Sequence, residues 1–170
     1  LPGAASNGLS GLANIRGGEA NETLVVLDGL PLYDPFHLQL LLSPASLLDP
    51  RTLSGLDVHA GGFTAEFGDR MSAVIEATSV RPEADRYYEL GLSLFHAQAL
   101  ASQRFADGRG QWLAAFRRSN LDEVADFVES EIGEASYIDG FGRVDYAFTP
   151  QTRASLHMLL STDEAEVVNS

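Results

Sequence analysis

The feature that most constrains this chain is a two-residue rhythm running through its second half. In YYELGLSLFHAQ, Tyr88, Leu90, Leu92 and Leu94 share one face, with Glu89, Gly91 and Ser93 on the other. GQWLAAFRRSN sets Trp112, Ala114 and Phe116 against Leu113, Ala115 and Arg117. YIDGFGRVDYAFT sets Ile138, Val144, Tyr146 and Phe148 against Asp139, Arg143 and Asp145. RASLHMLLST sets Ala154, Leu156, Met158 and Leu160 against Ser155, His157 and Ser161. Successive side chains on a strand point to opposite faces, so this period predicts strands of about ten residues. ADGRG and TPQT read as tight turns between them, and one acidic connection, SNLDEVADFVESEIGEAS, interrupts the series. Aromatic residues stand near several strand ends: Tyr87, Tyr88, Trp112, Tyr137 and Phe148. A sandwich would turn the apolar faces into its core, and a transmembrane barrel would turn them to lipid. Periodicity alone does not choose between them.

The first half has a different texture. LANIRGG and TLVVLDGLPLY read as buried strands closed by turn residues. DPFHLQLLLSPASLLDP predicts one or two helical turns, with Asp34 and Pro35 as N-cap and first residue and with Pro44 and Pro50 as interruptions. RTLSGLDVHAGG predicts a turn and a strand, and MSAVIEATSV another strand. Strands mixed with short helices predict a small α/β or α+β domain. The charged, proline-containing SVRPEADR separates the halves. The expected organisation is a domain over 1–80, a linker over 81–86 and a strand-rich region over 87–170.

Composition narrows the chemistry. The chain holds 24 acidic and 11 basic residues, a net charge of −13, and every basic residue is arginine. Without lysine there is no phosphate-binding P-loop and no Schiff-base chemistry. The negative balance disfavours nucleic acid, whose binding rests on neutralising phosphates. Without cysteine there is no disulfide, thiolate metal site or cysteine nucleophile, which suits a cytoplasmic or a bacterial envelope protein equally. His37, His59, His96 and His157 lack metal-ligand spacing, and the acidic run Asp122–Glu134 lacks the order of a calcium loop. GLSGL lacks the second glycine of a nucleophile elbow. Gly61, Gly62 and Gly68 precede a β-branched run rather than a helix, so they predict turns and not a dinucleotide cradle. No spacing points to an enzyme, a metal or a cofactor.

In order along the chain, Ile15-Arg16-Gly17, Leu27-Asp28-Gly29, Gly61-Gly62, Ala65-Glu66-Phe67-Gly68 and Arg70-Met71-Ser72-Ala73-Val74-Ile75 form a series. That series resembles the plug domain of TonB-dependent outer-membrane receptors. The ending EFGDRMSAVI is closest to a branch often carrying an N-terminal carboxypeptidase-regulatory-like domain, which weakens a siderophore as the guess for ligand. The resemblance implies an α+β plug with short helices over 1–80, followed by the first strands of an incomplete transmembrane β-barrel. About five of the family's roughly 22 strands would be present.

What the family implies is a receptor in the cell outer membrane. It would bind an extracellular small ligand and import it with energy from TonB, in contact with outer-membrane lipid, with no catalytic residue and no cofactor. Tyr33, Asp34, Pro35, Phe36 and His37 would form a ligand-facing plug loop. Arg16, Gly17, Asp28, Gly29, Gly61, Gly62, Glu66, Gly68 and Arg70 would carry the plug motifs and the plug–barrel interface. The segment Asp122–Glu134 would be an extracellular loop. The rival expectation is a soluble β-rich binding or adhesion module of the cell envelope.

Overall fold

A computed structural model describes residues 4–5, 14–15, 22–37, 46–62, 67, 72–120 and 135–165. The chain divides into two compact units, Leu1–Val80 and Arg81–Ser170.

In the first unit, β1 (Ala4–Ala5) and β2 (Asn14–Ile15) make a minimal antiparallel pair. The main sheet has four strands, β3 (Thr23–Leu27), β4 (Leu30–Leu32), β5 (Leu53–His59) and β6 (Ala73–Ser79), in the order β4-β3-β6-β5. β3 and β6 run parallel at its centre, and the flanking strands are antiparallel to them. Central strands are covered on both faces, which is why TLVVL is an unbroken apolar run rather than an alternating one. Leu24, Val26 and Val74 pack together on one face with Phe67 against them.

Asp28 and Gly29 close β3 onto β4 as a two-residue hairpin with φ of 49° and 85°. Positive φ at both positions is what a type I′ turn demands, and Asp-Gly supplies it at little cost. Asp28 also reaches across the sheet. Its carboxylate accepts from the backbone N–H of Ser79 at 3.0 Å and from the Ser79 hydroxyl, and its own N–H donates to the Ala77 carbonyl at 2.9 Å. The turn is thereby stapled to the end of β6.

The α+β architecture expected for this unit is not what forms. Among the described residues there is no α-helix, and Pro50–Thr52 makes a single 3-10 turn with Asp49 as its cap. At the expected helix start, Phe36 pairs instead with Ser46 in an isolated antiparallel bridge, and Leu47 N–H donates to Pro35 O at 2.9 Å. Those backbone groups are committed across a loop and cannot enter an i to i+4 ladder. Residues 38–45, the rest of the expected helical stretch, lie outside the described residues.

The second unit is a meander of five antiparallel strands, each paired with its neighbour in sequence: β7 (Arg86–Leu92), β8 (His96–Phe105), β9 (Gly110–Ser119), β10 (Ala135–Ala147) and β11 (Arg153–Ala165). The sheet is open, with β7 and β11 at its edges, and no closed barrel forms. The rhythm of YYELGLSLFHAQ treats β7 and the start of β8 as one strand, yet the chain reverses between them. The Ser93 hydroxyl accepts from the N–H groups of Phe95 at 3.3 Å and His96 at 3.0 Å, making a turn without glycine or proline. At the other end, Ala106, Asp107 and Gly108 turn β8 into β9 with φ of 53°, 55° and 81°.

The staple at Asp28 yields a direct test. Asp28→Ala removes two hydrogen bonds to a charged acceptor and places alanine at positive φ, which is expected to cost about 2–3 kcal/mol. Amide hydrogen exchange should then accelerate in β3 and β6 while that of β8–β10 is unchanged.

Candidate functional site

Register assigns every side chain of the meander to one of two faces. Arg117 pairs with Asp139, Gln111 with Asp145, and Asp145 with Ser155, so these residues share a face. The same pairing puts Leu90, Ala101, Trp112, Ala114, Phe116, Val144, Leu156, Met158 and Leu160 on the other. The charged face is the covered one and also carries the buried Leu100, Leu113, Ala115 and Phe141, whereas the other face is almost wholly apolar and yet exposed, unlike the usual surface of a protein in water. Leu90 is 86% and Leu156 71% exposed, whereas Arg143 is 5% and Asp145 3% exposed.

The polar face is held by charge. Arg117 donates from Nε to Asp139 Oδ2 at 2.9 Å, with a second contact from its terminal amino group, and its guanidinium lies 5.2 Å from the Tyr137 ring centre. Arg143 grips Asp145 with two hydrogen bonds, Nε to Oδ2 at 2.9 Å and a terminal nitrogen to Oδ1 at 3.1 Å. Asp145 also accepts from Gln111 Nε2 at 2.7 Å on β9 and from the Ser155 hydroxyl on β11. One carboxylate thus ties three adjacent strands. Buried charges are tolerated only when paired in this way, because desolvation of a lone ion exceeds what a single contact returns.

The apolar face ends in an aromatic cluster beside the short turns. The Phe105 and Tyr146 rings stack with centres 6.2 Å apart, and Tyr146 meets Phe148 edge-on at 5.0 Å. Gly110 lies between Phe105 and Tyr146 in the register, and the Phe105 ring covers it so closely that a Cβ there would stand 2.3 Å from Cε2. A side chain at position 110 would push Phe105 out of the stack.

The residues singled out in the first half are distributed unevenly. Tyr33 is 84% exposed and Asp34 is exposed, while Pro35 and His37 are buried and Phe36 is half-buried. Pro35 and Phe36, with Leu48, Leu53, Leu56 and Ile75, line an open apolar groove of about 280 Å³ on the sheet face opposite Leu24 and Val74. Asp28 and Gly29 form the stapled turn, and Gly61 and Gly62 follow β5 with φ of 122° and 71°. Arg16, Gly17, Glu66, Gly68 and Arg70 lie outside the described residues. The loop residues Pro35 and Phe36 are therefore brought to a groove. Sequence reasoning passed over Arg117, Asp139, Arg143 and Asp145 as a network. The available signal was opposite charges at matching period-two positions of adjacent strands.

Among the described residues no group of three or more acidic, histidine or cysteine side chains is placed to hold a metal ion, and no helix is long and apolar enough to cross a membrane. No known family model matches the chain, and no curated protein matches it in sequence.

The polar face predicts an asymmetric mutational response. Asp139→Ala takes a buried carboxylate away from buried Arg117 and should cost up to about 3–5 kcal/mol, whereas replacing both partners with well-packed apolar residues should recover most of that loss. A double-mutant cycle from denaturant midpoints measures the difference.

Proposed function

We propose that the chain is part of a TonB-dependent outer-membrane receptor, in which the apolar face of β7–β11 contacts lipid and the first unit is the plug. The observation that carries the proposal is the exposed apolar face: leucines, methionine and aromatics open on one side of the sheet, while paired charges are buried with Leu113 and Phe141 on the other. An exposed apolar surface of this extent is costly in water, and the same surface is the favourable one against acyl chains. Dimensions agree. Ile138 to Phe148 spans ten residue steps, roughly 33 Å along a strand and about 25 Å along the membrane normal at a tilt near 40°. In lipid the free edges of β7 and β11 require further strands as partners.

The ordered plug motifs in the sequence supply the family. On this reading the segment 121–134, joining β9 to β10, is extracellular, and the short turns at 106–109 and 148–152 lie on the opposite side. The plug loop Tyr33–His37 and its groove offer an aromatic, apolar contact for an extracellular small ligand. No step requires a catalytic residue, since transport needs only a binding surface and a plug that yields.

The chain itself contains no cysteine, so single cysteines introduced into it report cleanly once any cysteine elsewhere in the full-length protein is replaced. Spin labels at Leu156, Met158 and Leu160 in the full-length receptor should collide with oxygen dissolved in lipid, and labels at Ser155, His157 and Ser161 should not. Met158→Arg should destabilise the membrane-inserted protein by about 2–4 kcal/mol. If the full-length protein is soluble and positions 156, 158 and 160 are buried in a water-excluded core, it is a soluble β-rich module and the receptor reading fails.

A further inference from the structure

The two ends of the meander differ sharply in charge. At the short-turn end stand four exposed arginines, Arg86, Arg104, Arg109 and Arg153, against exposed Asp85 and Asp107, while Arg81 and Glu83 in the approach to β7 cancel. At the opposite end β11 carries exposed Asp163 and Glu164 and β9 the half-buried Arg118, and the intervening sequence 121–134 holds six acidic residues and no basic one. The aromatic cluster of Phe105, Tyr146 and Phe148 belongs to the basic end.

Arg109 is the residue on which these features converge. Its Nε donates to the Ala106 carbonyl at 3.3 Å, and its guanidinium carbon stands 5.8 Å from the centre of the Tyr146 ring. The turn and the ring orient the group, yet its terminal nitrogens meet no carboxylate among the described residues. Arg117 and Arg143 on the polar face are, by contrast, each paired with a carboxylate, Asp139 and Asp145. A guanidinium held beside an aromatic ring, with terminal nitrogens that meet no carboxylate, can match a phosphate diester bidentately, a geometry that an ammonium lacks. Aromatic rings at such a position seat at headgroup level, which places the fork at the depth of lipid phosphates.

We infer that the short-turn end of the meander is a binding surface for the phosphate of an anionic phospholipid headgroup, with Arg109 on Tyr146 as its anchor and Arg86 as a second contact on the apolar side. The inference rests on the membrane reading above and adds the lipid class and the residues that recognise it. The acidic opposite end repels the same headgroup, so the charge gradient also favours one direction of insertion.

The test uses the full-length protein containing this chain, reconstituted in phosphatidylcholine vesicles with a minor fraction of phosphatidylglycerol. A bimane on Gln151→Cys reports local lipid through quenching by brominated phosphatidylglycerol relative to brominated phosphatidylcholine. The expected result is a preference for phosphatidylglycerol that weakens with salt and falls about fivefold in Arg109→Gln. Arg109→Lys should lose less, and Glu164→Gln at the other end should leave the preference unchanged. If the protein inserts and Arg109→Gln keeps the wild-type preference, the anchor is overturned while the receptor reading stands. Failure to insert overturns both. Loss of the preference on adding inorganic phosphate at constant ionic strength would identify a free-anion site and overturn the lipid assignment.

Discussion

Strand register in the second unit is the constraint on which the rest of that unit depends. A slip of one residue between β9 and β10 would move Arg117 from Asp139 to a position opposite Gly140 or Ile138 and would exchange the two faces of the slipped strand. The register is held from two directions. Turns at Ala106–Gly108 and at Phe148–Thr152 fix where each strand starts, and the Arg117–Asp139 ion pair and the hydrogen bonds from Gln111 and Ser155 to Asp145 cross strands and reward only one alignment. These cross-strand polar contacts thus act as specificity devices: their net contribution to stability is small, but misalignment separates buried polar partners.

The first unit solves a different problem with similar means. Its sheet is parallel at the centre, and parallel neighbours need a long connection whose geometry does not align the strands by itself. Asp28 supplies the missing alignment, since one side chain both shapes the β3–β4 turn and accepts two hydrogen bonds from Ser79 at the end of β6. The hairpin and the parallel pair are coupled through a single carboxylate. On the opposite face the Pro35–Phe36 segment and Leu48 leave a groove instead of closing over Val25 and Ile75.

Much of this was legible along the chain. The Asp-Gly turn, the positions of β9–β11 and the side chains on each face follow from period-two patterning and turn chemistry, because strand geometry maps sequence parity directly onto sheet face. The break at Ser93–Phe95 was not legible, since a serine hydroxyl made the turn and the leucine rhythm ran straight through it. The helical start at Asp34-Pro35 was misread for a related reason. Cap and first-turn residues describe what a helix would use, but the Phe36–Ser46 bridge claimed those backbone groups through a partner ten residues away.

The sequence by itself determined two amphipathic faces, their approximate length and an unusually lysine-free, acidic composition. Only the tertiary structure decided which face is covered, because parity says which residues travel together and nothing about what lies beyond the sheet. It also decided that Asp145 ties three strands and that Phe105 crosses Gly110 to reach Tyr146, since both depend on register between segments far apart in sequence. The physical reason is the same in each case: local patterning sets direction, whereas contact requires the pairing of strands that the chain brings together only on folding.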